Sequence, residues 1–500
     1  MSAFSPIPLG QPIPAHSPHA VSASLPTMRA VRGYEEKDPA ITREMTSGYP
    51  RFVIHPFLQQ LAAHLARAHG LVDHTVWLAS SAHMADRLAA HLGAAHVVRL
   101  TDGDVHAVAH PAASELAARA KSFLQHTGGF LSSRAAEDRL AHHGLLPTPA
   151  GETLFTGDAV AEIRRHLAPA FPGVPATDLL LANTGMSAVD AAFRAVAELQ
   201  AARGRTLWIQ LGWLYLDTIA LLKKFTAAPD DYVYVRDVFD FAAIEKLFAE
   251  KGDRIAGLVA EIPTNPLIQT PDLPALSALA RRHGAALVLD PSVTSAFNLD
   301  ILPYADVVAC SLTKYAANEG DLLAGLVVVN PASPDAPLLR RQLTSKVEPL
   351  YTRDAARLAV EIAGTTEVLA QIHANVPRVV EFLSTHPAVK DIHWALHAAS
   401  RENYLRLART PQAVGGMITF TLHGSLERFY DRLRLPKGPS FGIKTTLICP
   451  FMYLAHYDLV TTPEGRAELA ASQLDFNLLR LAVGIEPVEE IIAALREALE

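Results

Sequence analysis

Residues 305–325, ADVVACSLTKYAANEGDLLAG, decide how the rest of the chain is read. Asp306 is followed by a short apolar run, Val307-Val308-Ala309-Cys310, with no polar alternation. Such a run suits a strand covered on both faces. It ends in two hydroxyl residues, Ser311 and Thr313, and then Lys314. After a loop of glycine and acids, Leu326-Val327-Val328-Val329 forms a second apolar run. A lysine at the end of a buried strand either reaches back to solvent along its stem or is held there for chemistry.

Outward from this stretch the pattern repeats. Between about 155 and 330, strand-like runs occur at TDLLLAN, RTLWIQLG, DYVYV, IAGLVAEI, AALVLD, DVVACSL and LAGLVVVN. Helical segments separate several of them, among them MSAVDAAFRAVAELQAARG, FAAIEKLFAEKG and PALSALARRHG, and all three end in glycine, a common helix stop. Strands alternating with helices predict an α/β fold with a mainly parallel sheet. After about 345 the periodicity predicts a long helix over roughly 351–385 and then a smaller α+β region ending in VEEIIAALREALE. Residues 1–45, rich in Pro and Ser, read as an extended arm. Residues 53–70 have helical periodicity, TVWLAS and HVVRL read as strands around the helix SAHMADRLAAHLG, and another helix is expected near 112–126.

Composition narrows the class. The chain has 500 residues, half of them apolar and a fifth charged, so it can bury a large core in two or three domains. A formal net charge of −7 argues against a general nucleic-acid or anionic-membrane binder. No apolar run is long enough for a membrane span, and no signal peptide is indicated. The two cysteines, Cys310 and Cys449, lack metal-type neighbours, and the 22 histidines are scattered without ligand spacing, so no metal site is expected. A reducing cytoplasm fits best.

Three groups fall at strand ends, where doubly wound sheets gather their ligands. AALVLD ends in Asp290, the lysine strand ends in Ser311, Thr313 and Lys314, and DLLLAN leads into Thr184-Gly185-Met186. The last opens a helix, whose free N–H groups and dipole favour an anion. Taken alone, each has a plainer reading: a strand-end lysine in solvent, a turn aspartate, a helix cap. Together, an acid, a lysine and an anion cradle are what pyridoxal phosphate (PLP) requires.

These residues resemble the cysteine/methionine-metabolism group of fold-type-I PLP enzymes, which includes the cystathionine γ-synthases, their lyases and the homoserine-ester sulfhydrylases. Ser311-Leu312-Thr313-Lys314-Tyr315 matches the group's lysine motif, Thr184-Gly185-Met186 its phosphate turn, and EIPTNPLIQTPDL its Glu-x-Pro-x-Asn-Pro segment. The resemblance implies a mainly parallel seven-stranded sheet with a smaller C-terminal α+β domain. It makes Lys314 the Schiff-base lysine, places Ser311 and Thr313 on the phosphate, Asp290 on the pyridinium nitrogen and Asn265 by the phenolic oxygen, with Glu261 behind. Tyr215 falls where the group has a tyrosine that stacks on the ring and moves protons; aromatic stacking suits that place, and core packing is the plainer reading. SGYPRF resembles a Tyr-x-Arg segment, which implies that Tyr49 and Arg51 bind the phosphate of a neighbouring subunit's cofactor in a homodimer or homotetramer. LLRLAVGIEPVEE matches the terminal segment and makes Arg480 the clamp for the substrate carboxylate, with Ser440 beside it. The opening segment is most similar to the long cystathionine γ-synthases. On this basis residues 1–56 are an arm toward the neighbour, 57–150 an inserted α/β segment, 151–345 the PLP domain and 346–500 the carboxylate domain.

Several positions depart from the group's pattern. Asp290-Pro291-Ser292 replaces Asp-Asn-Thr, and Leu216-Asp217 replaces Gly-Gly after the tyrosine. Lys444 stands for a glutamate near Ser440, and Asn318-Glu319 for Gly-His after the lysine. The expected reaction is γ-replacement on an activated homoserine (O-acyl or O-phospho) by a thiol such as cysteine, giving a thioether. The alternatives are a cystathionine or methionine γ-lyase, and a non-catalytic PLP-fold protein.

Overall fold

The computed structural model describes residues 4–49, 53–112, 114–149 and 151–500. All seven strand-like runs of the middle region form one sheet. From edge to edge it runs Leu179–Ala182, Gly325–Val329, Val307–Ser311, Ala286–Asp290, Ile255–Glu261, Leu207–Leu211 and Tyr232–Val235. Gly325–Val329 is antiparallel to both its neighbours, and the others share one direction. The continuous Val, Leu and Ala runs are explained by cover on both faces: every residue of Ile255–Glu261 and of Gly325–Val329 is buried. Helix Gly185–Ala201 packs an alanine-rich face, with Ala188, Ala191, Ala192 and Ala195 buried, against the lysine strand. Small side chains there let the helix lie close to the sheet. Its start is fixed by Thr184, whose hydroxyl accepts from the Ser187 N–H at 3.0 Å, a cap worth about 1 kcal/mol.

The C-terminal part carries a second sheet, antiparallel throughout, in the order Val389–His393, Met417–Leu422, Leu479–Ala482, Leu447–Pro450. The single long helix expected over 351–385 is two helices, Thr352–Ile362 and Thr365–Thr385, which meet at Ala363 and Gly364.

Residues 56–149 build a subdomain with its own apolar core, including Leu61, Leu65, Met84, Leu88, Ala107 and Val108. Its sheet is three-stranded and antiparallel, with Val105–Pro111 between His74–Ala79 and Val98–Asp102. Polar contacts dock it on the helix after Leu179–Ala182 and on the segment before helix Thr352–Ile362. Arg87 forks onto Asp190 at 2.8 and 3.1 Å, and the Ser80 hydroxyl donates to Glu348 at 2.8 Å.

The N-terminal arm corrects the sequence reading. It is not extended: Pro12–Ile13 pairs with Ser22–Ala23, and helix Met28–Glu35 buries Met28, Val31 and Tyr34 in the main core. The Val21 N–H donates to Gly320 O and the Leu25 N–H to Lys437 O, at 2.9 and 3.0 Å. Backbone bonds of this kind satisfy groups that burial would otherwise leave orphaned. Among the described residues, no helix is long and apolar enough to cross a membrane.

Candidate active site

The carboxyl ends of four parallel strands open into one cavity. Of the residues expected from the sequence, Tyr49, Thr184, Gly185, Met186, Tyr215, Glu261, Asn265, Asp290, Ser311, Thr313, Lys314, Ser440 and Arg480 all line it. Arg51 lies outside the described residues. The cavity measures about 220 Å³, far more than the roughly 10–15 Å³ needed for one water. It can hold an organic ligand.

Lys314 is half-buried, its accessible surface lining the cavity. Nζ donates to the Ser440 hydroxyl at 3.0 Å and contacts the Tyr49 hydroxyl, and these two hydroxyls are 3.0 Å apart. Rings of Tyr49 and Phe441 lie 4.4 and 4.7 Å from Nζ. Burial, with the Arg480 charge second, holds the amine well below the ordinary lysine value. It is therefore a neutral nucleophile and base in waiting. Ser440 has a φ of 126°, a strained conformation of the kind that clusters at functional sites. Within the one chain, Tyr49 reaches Lys314 directly. Burial pushes its phenol up to about 12, so it stays a donor.

The acid strand pairs Asp290 directly with Glu261. Ser292 donates to Asp290 Oδ1 from its backbone N–H and its hydroxyl, and the same hydroxyl accepts from the Ser311 N–H at 2.8 Å. Asp-Pro-Ser therefore does the work of orienting the acid and ties it to the lysine strand. Burial raises Asp290 to about 6 against those two bonds, while burial and Asp290 raise Glu261 well above the carboxylate range. Because Glu261 is pushed up further than Asp290, the pair's proton resides on Glu261 and the charge on Asp290. Glu261 accepts from the Tyr215 N–H at the start of helix Leu216–Phe225, which fixes where Tyr215 enters the cavity.

The anion cradle is built by close approach. A Cβ on Gly185 would stand 2.7 Å from Ser311 Cβ, and one on Gly325 would stand 2.2 Å from the Thr184 carbonyl oxygen. Only glycine lets turn and strands meet there. The Thr184 hydroxyl is taken by its capping role and by Gly128 O, and the Thr313 hydroxyl accepts from the Ala324 N–H at 3.0 Å. The Gly185 and Met186 N–H groups at the helix start and the Ser311 hydroxyl stand beside these two threonines at the same end of the cavity. The charge reversal at Lys444 is also resolved, because Lys444 pairs with Glu319, the other departure, and does not line the cavity.

Arg480, in strand Leu479–Ala482, lies between the rings of Phe441 and Phe451, at 5.2 and 4.8 Å. Its fork touches Asn265 Oδ1 and Ser440 O only at 3.5 Å each. Such a guanidinium is held in place by the rings and remains able to take a carboxylate at both nitrogens. The sequence reading missed these two phenylalanines, although Phe441 follows Ser440 directly. It also missed the wall from the inserted segment, where Leu124, Gln125, Phe130 and Arg134 line the cavity. Gln125 donates to Asp217 at 2.7 Å, which turns that unusual carboxylate toward the insertion.

A neutral lysine, an ionised strand-end acid and a glycine-built anion cradle in one cavity define a PLP site, and the groups fit that cofactor. The chain belongs to the Cys/Met metabolism PLP-dependent enzyme family, whose profile matches residues 174–500. It is 41% identical to an L-2-amino-4-chloropent-4-enoate dechlorinase/desaturase of Streptantibioticus cattleyicolor, over 100% of this chain and 99% of that one. It is 26% identical to a cystathionine gamma-synthase of Neurospora crassa, over 99% and 98%. The fold is shared with the crystal structure of cystathionine gamma synthase from Xanthomonas oryzae pv. oryzae, at a TM-score of 0.58 and 23% identity, covering 69% of this chain and 86% of that one.

The acid pair sets a pH dependence for cofactor affinity. Asp290, if it holds a pyridinium N–H, would have to be ionised in the complex, so below about 6 the cofactor-free chain would carry a proton that binding must release. Apparent affinity is expected to be flat above that point and to fall by up to about tenfold per pH unit below it. Titrating cofactor-free protein with PLP by visible absorbance checks this. Constant affinity down to about pH 5 would contradict the assignment of Asp290.

Proposed function

We propose that the chain removes a substituent from the γ-carbon of an amino acid by elimination, on a substrate whose side chain is apolar and carries one leaving group. The observation that carries the reading is the charge inventory of the cavity. Among the described residues the arginines lining it are Arg134 and Arg480. Arg134 is matched by Glu152, Asp321 and Asp354, whereas Arg480 pairs with no carboxylate. That leaves one clamp for one carboxylate. A cysteine nucleophile would bring a second carboxylate with nothing to receive it, a cost of several kcal/mol when buried. The remaining wall, with Val21, Leu58, Leu322, Leu323 and Leu454, suits an apolar side chain. The Streptantibioticus relative supports the same reading, since its name places the chlorine on the fourth carbon, which is the γ position.

When bound, PLP supplies an electron sink for the pair left at Cα. Arg480 holds the substrate carboxylate, and Lys314, neutral through burial, takes the Cα proton. The Tyr49 and Ser440 hydroxyls keep Nζ in place and give it somewhere to pass a proton. Asp290 holds the ring nitrogen's proton. Loss of a Cβ proton expels the γ substituent as an anion, so the substrate gives an unsaturated amino acid plus HX or, with uptake of one water, its keto acid plus ammonia and HX. γ-Replacement on an activated homoserine by a thiol is the second reading, favoured by the full-length likeness to cystathionine gamma-synthase.

Incubation of holoenzyme with 2-amino-4-chloropent-4-enoate, and separately with O-acyl- and O-phosphohomoserine, each with and without cysteine, separates the two. Anion release independent of cysteine, with no thioether by mass spectrometry, is expected. A thioether formed from a homoserine ester, with little turnover unless cysteine is present, would sink the elimination reading.

A further inference from the structure

We propose that Arg134, reaching from the inserted subdomain into the core, is a positioning residue for the loop that carries Lys314. Its side chain is 1% exposed. Nε donates to Glu152 at 2.7 Å, and Nη1 to the Asp321 carbonyl at 2.8 Å and to Asp354 at 3.1 Å; Nη2 lies 3.5 Å from the Asp321 carboxylate. Asp321 is held from its other side by Arg357 at 3.2 Å. One planar fork thus joins the insertion, the segment at 152, the lysine loop and helix Thr352–Ile362. A lysine could not span these partners, because it has no fixed fork.

The path from Arg134 to Lys314 is short. Asp321 is followed by Leu322 and Leu323, which line the cavity, and then by Ala324. Ala324 accepts from the Leu312 N–H and donates its own N–H to Thr313, each at 3.0 Å. Thr313 is the residue before Lys314. The unusual Asn318-Glu319 belongs to the same brace: the Asn318 amide donates to Glu361 O at 2.7 Å and the Glu319 N–H to the Glu361 carboxylate at 2.9 Å. Local propensity does not explain Arg134, since a cation in the first turn of helix Ser133–His142 opposes the helix dipole. The buried carboxylates explain it. The insertion is therefore part of the mechanism's scaffold and not only added surface.

The inference rests on Lys314 as the amine that binds the cofactor. Arg134→Lys keeps the charge and loses the fork. A looser loop admits water, which favours the protonated form of the lysine–cofactor link, so the pH midpoint of the visible absorbance is expected to rise by about half a unit or more. Turnover should fall about tenfold with KM changed less than about threefold, because the reacting groups are displaced rather than the substrate released. Ser132→Ala, which loosens the helix start by removing a bond to Asp354, should shift the midpoint the same way by less. Asp102→Asn breaks the Arg139 and His143 pairs elsewhere in the insertion and should move neither. The proposal is overturned if Arg134→Lys titrates and turns over like the parent, if Asp102→Asn reproduces its shift, or, should Arg134→Lys not fold, if Ser132→Ala leaves the midpoint in place. Failure of the Lys314 assignment itself looks different: Lys314→Ala would then keep its visible band.

Discussion

Lys314→Ala is expected to lose the visible absorbance of the cofactor complex and to lower turnover by about 10⁴-fold or more, the scale on which a nucleophile that also serves as base is lost. Among the described residues, Lys314 is the one lysine lining the cavity, so no other amine there can replace it. Lys444, the lysine among the departures from the family pattern, is committed to Glu319. The fold should survive the change. A lysine whose value is depressed in the folded chain costs stability at neutral pH, because the unfolded chain binds a proton that the folded chain does not. That cost disappears with the amine and offsets the methylenes lost to alanine, typically about 2–4 kcal/mol for a buried side chain. The variant should therefore bind PLP non-covalently, remain folded by circular dichroism, and yield no cofactor-labelled peptide at position 314 after borohydride reduction. A purified Lys314→Ala protein with an unchanged yellow spectrum would remove the basis of the site. Tyr49→Phe is the informative companion. It keeps the amine and the ring contact but not the hydroxyl, so the band should persist while the proton transfers slow.

Why the large domain was legible and the rest less so follows from the kind of signal each part carries. A strand covered on both faces writes itself as a continuous apolar run, and all seven runs of the middle region became strands of one sheet within one or two residues. Chemistry at strand ends is legible too, because topology sends those ends to one place. Pairings across long separations are not. Lys444 and Glu319 each read as an oddity, and only folding shows that one departure answers the other. Likewise, nothing in Ser132-Ser133-Arg134 points to carboxylates at 321 and 354. The arm misled because Pro and Ser mark irregular backbone whether it is extended or packed; its burial comes from partners such as Gly320 O and Lys437 O. Strand Val105–Pro111, which the sequence reading did not place, was available in principle. Gly103-Asp104 forms a two-residue loop between Asp102 and Val105, a recognised hairpin signal, but the strand's histidines hid the alternation.

Arg480→Leu is expected to lower kcat/KM by roughly 30- to 5,000-fold, the range set by removing one partner of a buried charge pair at about 2–5 kcal/mol. The loss should fall mainly on KM if the carboxylate is gripped equally throughout the reaction, and on kcat as well if the grip also aims the Cα–H bond at Lys314. The cofactor band should stay, because Arg480 is not among the groups that hold PLP. Arg480→Lys should fall between, since it restores a charge without the fork, and the rings of Phe441 and Phe451 that stack on a planar guanidinium fit an ammonium less well. The pair of variants also bears on the reaction. If one arginine receives the only carboxylate, Arg480→Leu should treat every accepted substrate alike, and added cysteine should neither rescue nor further inhibit it. A variant that lost turnover of the amino acid but still bound cysteine tightly would reveal a second carboxylate site, and with it the replacement chemistry. Measuring KM for two substrates of different side chain, with and without cysteine, reads both outcomes from one preparation.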